Sequence, residues 1–179
     1  MTCIAGLVHE GQVWLASDAQ STWGYKKKDC GSKVLQIGDL GIAFTGYAAA
    51  SVTVKNRLTL PDIPEDEAKH DRWLYVEVPD AIKQCLTDAG ILKSESGRID
   101  AGVYAIMGWR GRLCQMDSFL APYPEMRSYT ASGSGGEVAL GSLFSTEDKE
   151  PEERLKTAIQ AANMWSVGCG VDVHIVNVG

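Results

Sequence analysis

The stretch MTCIAGLVHEGQVWLASD, residues 1–18, contains two apolar runs separated by a short turn. The runs cover residues 3–8 and 13–16, and the turn between them is Glu10-Gly11. Two such runs joined by a turn that contains Gly predict a β-hairpin. The second run ends in Ser17-Asp18, so the hairpin is expected to place polar side chains at the end of a strand.

Working outward from this hairpin, the apolar pattern predicts an alternation of strand pairs and helices. Further strands are predicted at 33–37, 41–46, 101–109, 112–116, 126–131 and 171–176; helices after Gly46, around Pro79, after Gly136 and from Pro151; and loops or turns at 23–32, 61–71 and 94–98. For 61–71 a short irregular helix is the alternative. This segregated order predicts an α+β fold, with helices on the outer faces of two antiparallel sheets.

Composition narrows the class of protein. A chain of 179 residues with 45% apolar and 22% charged residues is expected to form a single domain spanning residues 1–179. The net charge is −6, and the only cluster of basic residues is Lys26-Lys27-Lys28, which we interpret as a solvated loop tip. Neither nucleic acid nor an anionic membrane is therefore expected as the main partner.

The five cysteines are scattered and lack the spacing of a zinc site, so buried free thiols are expected. The start of the chain has no basic segment, and its first apolar run breaks at His9-Glu10-Gly11, so no secretory signal is predicted. No apolar run is long enough to span a membrane. Together these features predict a cytoplasmic protein.

The second residue, Thr2, is a candidate nucleophile. Removal of Met1 would leave Thr2 with both a hydroxyl and a free α-amino group, which is an established nucleophile and base combination. Many proteins begin Met-Thr without such a role, so this pattern alone decides nothing. The chain shows no propeptide beyond Met1, so maturation would require only methionine removal. A chain that keeps Met1 is predicted to be inactive because its Thr2 amine is capped.

Further motifs follow Thr2 in order. They are Thr2-Cys3-Ile4-Ala5-Gly6, Ala16-Ser17-Asp18-Ala19-Gln20-Ser21-Thr22, Lys33-Val34, Phe44-Thr45-Gly46 and Ser132-Gly133-Ser134-Gly135-Gly136. In this order and spacing the set resembles the proteasome β-subunit family, including HslV, whose members are N-terminal nucleophile hydrolases. The resemblance covers nearly the whole chain and implies a four-layer αββα sandwich that acts as a threonine peptidase.

The resemblance also implies a role for each matching residue. Thr2 would attack a peptide carbonyl, Lys33 would favour the deprotonated hydroxyl and amine, and Asp18 would hold Lys33. The Gly46 N–H would stabilise the oxyanion, and Ser134 would hydrogen-bond the terminal amine. Phe44 and Ala48 would line the pocket for the residue before the cut, and the small Ala48 would leave room for a bulky apolar group.

The stretch 166–170 departs from the family. Ser166 stands where many proteasome β-subunits carry an Asp that supports the threonine, so that support is not predicted here. In HslV the same loop can bind a monovalent cation through backbone carbonyls, which would correspond to Ser166, Cys169 and Asp172. A structural sodium ion is the one cofactor implied, and none is required for the reaction.

The resemblance implies partners as well. The family forms closed barrels, so the chain is expected to form a hexameric or heptameric ring, stacked in pairs, that cleaves unfolded polypeptides beside an ATP-dependent unfoldase. Two alternatives stay open. One is an N-terminal nucleophile amidase that acts on a small amide, and the other is a catalytically silent scaffold subunit of a ring.

Overall fold

Two antiparallel sheets contain most of the strands. The computed structural model describes residues 2–23, 25–95 and 98–178. The strands are β1 Cys3–His9, β2 Gln12–Asp18, β3 Gln20–Trp23, β4 Lys26–Asp29, β5 Val34–Ile37, β6 Leu40–Gly46, β7 Lys93–Glu95, β8 Arg98–Asp100, β9 Val103–Trp109, β10 Arg112–Met116, β11 Pro122–Pro124, β12 Tyr129–Gly133 and β13 Val173–Val178. The helices are α1 Ala48–Arg57, α2 His70–Arg72, α3 Val78–Asp88, α4 Gly136–Ser145 and α5 Pro151–Trp165.

The strand order brings distant parts of the chain together. One sheet has the order β12-β1-β2-β13, the other has the order β11-β10-β9-β6-β5, and every pair in them is antiparallel. The hairpin of β1 and β2 lies at the centre of the first sheet, with His9 opposite Gln12 across the predicted turn. The predicted α+β class with antiparallel sheets is therefore confirmed.

In the described part of the chain, three apolar cores hold the sheets and helices together. The first core packs α4 and α5 against β1 and β12, through residues such as Leu7, Leu143 and Leu155. A second core joins strands of the two sheets to each other, with Ile4 and Leu15 from one sheet and Ile106 from the other. The remaining core packs α1 and α3 against β6 and β9. Burial of these large side chains, at roughly 25 cal/mol per Å² of apolar surface, is the main stabilising contribution.

The segment before β5 differs from the prediction. We expected a polar loop with lysines at its tip, but β3 and β4 form a two-stranded hairpin, in which Ser21 pairs with Lys28 and Thr22 with Lys27. The lysines of β4 are exposed. A run of charged residues carries no apolar alternation, so the backbone pairing that orders it leaves no signal in the sequence. Gly24, in the predicted loop, lies outside the described residues.

Other boundaries also shift. β12 extends to Gly133, β13 begins at Val173, and β11 was not predicted. The predicted polar turn at 94–98 contributes residues to β7 and β8, while Ser96 and Gly97 lie outside the described residues.

The helical region around Pro79 begins earlier than the sequence indicates. A 3-10 turn at Glu67–Lys69 leads through α2 into a π-helical turn at Trp73–Glu77, in which the Val78 N–H donates to the Trp73 carbonyl. Pro79 follows directly in α3 and has no N–H to donate. A π-helical turn beside a proline is a usual place for a helix to depart from α geometry. The irregular helix considered for 61–71 is therefore present over part of that range.

In the part of the chain that the structure describes, no helix combines the length and apolar character needed to cross a membrane.

Candidate active site

The site lies where the ends of several strands meet. Thr2 directly precedes β1 and Asp18 ends β2, and these neighbouring antiparallel strands place both residues at the same end of their sheet. Lys33 directly precedes β5 of the other sheet, and its carbonyl accepts a hydrogen bond of 3.0 Å from the Phe44 N–H in β6. Its own N–H donates to Ser17 Oγ at 3.0 Å. Lys33 is therefore held between the two sheets.

Asp18 is a buried carboxylate whose hydrogen-bonding capacity is used on both oxygens. Oδ1 accepts from the Cys3 N–H at 2.9 Å and from Lys33 Nζ at 2.7 Å. Oδ2 accepts from the N–H groups of Gln20 and Gly170, both at 2.9 Å. The side chain is fully shielded from solvent. A buried charge with a cation and three backbone donors has the partners that its burial requires.

Lys33 connects this carboxylate to the candidate nucleophile. Its Nζ lies 2.6 Å from Thr2 Oγ1, 2.7 Å from Asp18 Oδ1 and 2.6 Å from the Gln20 carbonyl oxygen. An ammonium group has three donors, so this set of acceptors uses all of them. The Lys33 side chain is 12% exposed and Asp18 is 0% exposed, so the two do not form a surface ion pair. Thr2 itself is 4% exposed.

Ser134 also contacts Thr2, but at a different atom from the one expected. Its Oγ donates to the Thr2 carbonyl oxygen at 3.3 Å, whereas the resemblance implied a hydrogen bond to the amine. Ser166 Oγ in turn donates to Ser134 Oγ at 3.3 Å. From the sequence, no support for Thr2 was predicted at position 166, because Ser166 stands there in place of an Asp. In the structure, Ser166 is a hydrogen-bond partner of Ser134. Sequence reasoning missed this contact because Ser134 precedes α4 and Ser166 follows α5, so the two residues are distant in the chain and meet only in the folded structure.

Two buried cysteines, Cys3 and Cys169, lie near Thr2. Hydrogen bonding with Cys169 and burial raise the pKa of the Cys3 thiol, which keeps it protonated beside the candidate nucleophile. Cys3 is 0% exposed and Cys169 is 1% exposed, so neither thiol is open to a substrate. The hydroxyl of Thr2 is therefore the better candidate nucleophile. All five cysteines are free, in agreement with the prediction of free thiols, although Cys30 is exposed and not buried.

Two glycines shape the backbone around Thr2. Gly46 has φ +105°, and a Cβ there would overlap the Gly102 carbonyl oxygen. Gly133 has φ +93°, and a Cβ there would overlap the Thr2 carbonyl oxygen. Side chains other than hydrogen are strained at such φ values even where space is available. Gly46 therefore lets the end of β6 lie against Gly102, and Gly133 lets β12 approach Thr2.

A cavity of about 540 Å³ opens beside Thr2. Both predicted pocket residues, Phe44 and Ala48, line it. Phe44 is 3% exposed and also packs in the core with α1, while Ala48 is exposed at the start of α1. The other lining residues are Thr2, Gln20, Ser21, Thr22, Cys30, Ser32, Lys33, Leu35, Thr45, Gly46, Tyr47, Ser51, Val52 and Lys55.

The backbone carbonyls proposed for a sodium ion already accept hydrogen bonds. The Ser166 carbonyl accepts from the Cys169 N–H at 3.1 Å, and the Asp172 carbonyl from the Ala19 N–H at 3.2 Å. The Cys169 carbonyl accepts from Asn163 Nδ2 at 2.7 Å. Among the described residues no cluster of three His, Cys, Asp or Glu side chains forms a metal site. A carbonyl oxygen has two lone pairs, so one accepted hydrogen bond neither favours nor excludes a bound cation, and the sodium site stays a prediction.

Comparison with known proteins gives a likeness of fold without a likeness of sequence. No family model matches the chain, and no curated protein matches it. The structure described as Thiobacillus denitrificans BPH has a TM-score of 0.81 at 16% identity, covering 98% of this chain and 96% of that chain. The same protein in complex with epoxomicin has a TM-score of 0.79 at 16% identity, covering 98% and 97%. Eukaryotic HslV from Trypanosoma brucei has a TM-score of 0.67 at 18% identity, covering 98% of each chain.

The three structures named above and this chain share one fold. Its fold is that of HslV and of BPH over almost its full length. The HslV-like resemblance stated from the sequence motifs is therefore confirmed at the level of the fold.

Proposed function

We propose that the chain is a threonine-type endopeptidase subunit with Thr2 as its N-terminal nucleophile after removal of Met1. The observation that carries this proposal is the placement of one ammonium, Lys33 Nζ, against both Thr2 Oγ1 and Asp18 Oδ1. A cation in hydrogen-bond contact with a hydroxyl favours the deprotonated form of that hydroxyl. The epoxomicin complex of the structural neighbour BPH supports a peptidase in this fold.

The geometry supports a two-step reaction. Thr2 Oγ1 attacks the substrate carbonyl carbon while its proton passes to the free Thr2 amine. The Gly46 N–H donates to the developing oxyanion, an interaction commonly worth about 3 kcal/mol. The C–N bond then breaks, the leaving amine takes the proton, and an ester on Thr2 remains. Water hydrolyses this ester and restores the hydroxyl.

The supporting residues hold the nucleophile in place during these steps. Asp18 fixes Lys33, and its hydrogen bond from the Cys3 N–H fixes the backbone that follows Thr2. Ser134 fixes the Thr2 carbonyl on the other side. Held geometry of this kind lowers the entropic part of the barrier.

We also propose that copies of the chain assemble into a ring. Met164, Trp165, Val167 and Val171 are each more than 70% exposed at the end of α5 and in the loop after it. A group of exposed apolar side chains is typical of a surface that another protein covers.

The three successive cores support a single domain with four layers, helices outside and sheets inside. We propose that this ring is a hexamer or heptamer, stacked in pairs, and that it lies in the cytoplasm. Its proposed substrates are unfolded polypeptides, and its proposed partner is an ATP-dependent unfoldase.

Degradation of an unfolded protein tests the function. Purified wild-type protein is incubated with reduced, alkylated casein, and released peptides are measured beside Thr2→Ala and Thr2→Ser. We expect peptides from the wild type, reduced release from Thr2→Ser and none from Thr2→Ala. Cleavage of small amides but not of casein would indicate the amidase alternative. Equal, negligible release from all three proteins would indicate a silent scaffold.

A further inference from the structure

The pocket beside Thr2 has an unbalanced charge. Among the residues that the structure describes, its lining contains no Asp or Glu, and its charged groups are the ammonium groups of Lys33 and Lys55. All three donors of Lys33 are used by Thr2, Asp18 and Gln20. The Lys55 side chain makes no hydrogen bond or ion pair with any other part of the chain that the structure describes. Within the described part of the chain, the pocket therefore presents one cation, the Lys55 ammonium, without a partner.

Lys55 lines the pocket from an exposed position on α1. Ala48, Ser51, Val52 and Lys55 all line the cavity, and their spacing places them along one face of α1. Leu35 and Phe44 add apolar surface, while Ser21, Thr22 and Ser32 add hydroxyl groups. A side chain with a short aliphatic stem and a charged end fits this combination: the stem contacts apolar carbon and the end meets the ammonium.

The surroundings of the pocket add positive charge. Ser21 and Thr22 of β3 line the cavity, and they pair with Lys28 and Lys27 of the neighbouring strand β4. These lysines are exposed. The acidic residue of that strand, Asp29, has one carboxylate oxygen engaged by the Gly31 N–H at 2.8 Å. Like charges clustered around a cleft raise the local concentration of ligands with the opposite charge.

We propose that Lys55 determines specificity in this pocket, by selecting a carboxylate side chain, Glu or Asp, on the residue immediately before the cleaved bond. This inference rests on the proposed peptidase function. It replaces the expectation that the small Ala48 selects a bulky apolar residue, because the free ammonium on the same helix face disfavours a fully apolar occupant. The lysines of β4 assist by attracting acidic substrates to the opening.

The experiment compares fluorogenic peptides that differ only in the residue before the cut: Glu, its uncharged counterpart Gln, Leu and Lys. For the wild type we expect kcat/KM for the Glu peptide to exceed that for the Gln peptide by about 2- to 5-fold, the range of an ion pair at an exposed position such as Lys55. Lys55→Met should bring this ratio close to one, and Lys55→Glu should reverse the preference toward the Lys peptide. Lys156→Met, an exposed lysine on α5, is the matched control and should keep the wild-type ratio.

Each outcome bears on a different claim. Cleavage of the Gln or Leu peptide as efficiently as the Glu peptide overturns the specificity inference and leaves the peptidase function intact. A Glu preference that survives in Lys55→Met also overturns the assignment of Lys55. If no peptide is cleaved by the wild type, the proposed function fails, and the inference fails with it. Raising the salt concentration should lower the Glu to Gln ratio, because Lys55 is exposed and salt screens an exposed ion pair.

Discussion

Lys33 Nζ lies 2.6 Å from Thr2 Oγ1 and, on its other side, 2.7 Å from Asp18 Oδ1. The carboxylate is fully buried and the lysine side chain is 12% exposed, so the charge pair is screened little by solvent. The hydroxyl of Thr2 is therefore in contact with a cation whose position is fixed by a buried anion. This relationship distinguishes Thr2 from an ordinary residue near a chain terminus and motivates the predictions below.

Replacement of Lys33 by Arg tests the need for a compact ammonium. A planar guanidinium keeps the charge but cannot place one nitrogen against the three acceptors that surround Lys33 Nζ. We expect kcat/KM for a peptide substrate to fall by about 100-fold or more, or about 2.7 kcal/mol of transition-state stabilisation. Lys69→Arg, at an exposed pair with Asp66, is the control and should be neutral. Wild-type kcat/KM in Lys33→Arg would remove Lys33 from the proposed mechanism.

Replacement of Asp18 by Asn tests the buried carboxylate. The Asn amide nitrogen would face N–H donors in place of an acceptor oxygen, and Lys33 would lose its counter-charge. We expect the free energy of unfolding, measured by urea denaturation, to fall by about 3 kcal/mol. Asp39→Asn, at a half-exposed pair with Arg110, should cost less than about 1 kcal/mol. Similar losses in the two variants would mean that Asp18 is not the structural anchor of the site.

Alanine at the site glycines tests the backbone geometry. Gly46→Ala and Gly133→Ala each introduce a Cβ at positive φ that overlaps a carbonyl oxygen, so each should lower the free energy of unfolding by about 2 kcal/mol or more. Gly141→Ala, in α4 with open space around it, should instead be neutral or stabilising by up to about 1 kcal/mol. Thermal melting of the three variants distinguishes these signs. Unchanged stability in Gly46→Ala would show that β6 can move away from Gly102.

A double-mutant cycle tests the relay from Ser166 through Ser134 to Thr2. Ser134→Ala should lower kcat/KM by about 5- to 10-fold through loss of the hydrogen bond to the Thr2 carbonyl. Ser166→Ala should have a smaller effect, because Ser166 acts on Thr2 through Ser134. The double variant should match Ser134→Ala alone, since interacting residues are not additive. Strictly additive effects on kcat/KM would contradict the relay.

The sequence allows some of these features to be predicted, and the reasons differ from residue to residue. The β1–β2 hairpin is predictable because apolar runs flank a turn with Gly11, and Asp18 is predictable as the polar residue at its end. The β3–β4 hairpin is not predictable, because the consecutive lysines of β4 have no alternation that indicates a strand. Local pattern therefore reveals the elements with an apolar face and misses those held by backbone pairing alone.

The candidate site also contains some contacts that the sequence predicts and others that it does not. The ordered motifs identify Thr2, Lys33 and Asp18, whose side chains meet as expected. The Gly170 N–H and the Ser166 hydroxyl also donate hydrogen bonds at the site, and both residues lie in the segment that follows α5. Their positions depend on tertiary packing. Contacts of this kind, made by backbone groups or by residues distant in the chain, leave no local sequence signal.

The central claim is that Thr2 is a reactive terminal nucleophile. The most direct test measures the intact mass of the purified protein before and after treatment with a hydroxyl-directed β-lactone. We predict a mass without Met1 that increases by one inhibitor, a peptide map that places the adduct on Thr2, and no adduct in Thr2→Ala. A mass that retains Met1 and does not change with inhibitor would contradict the proposed catalytic role and leave the fold as the only property shared with HslV.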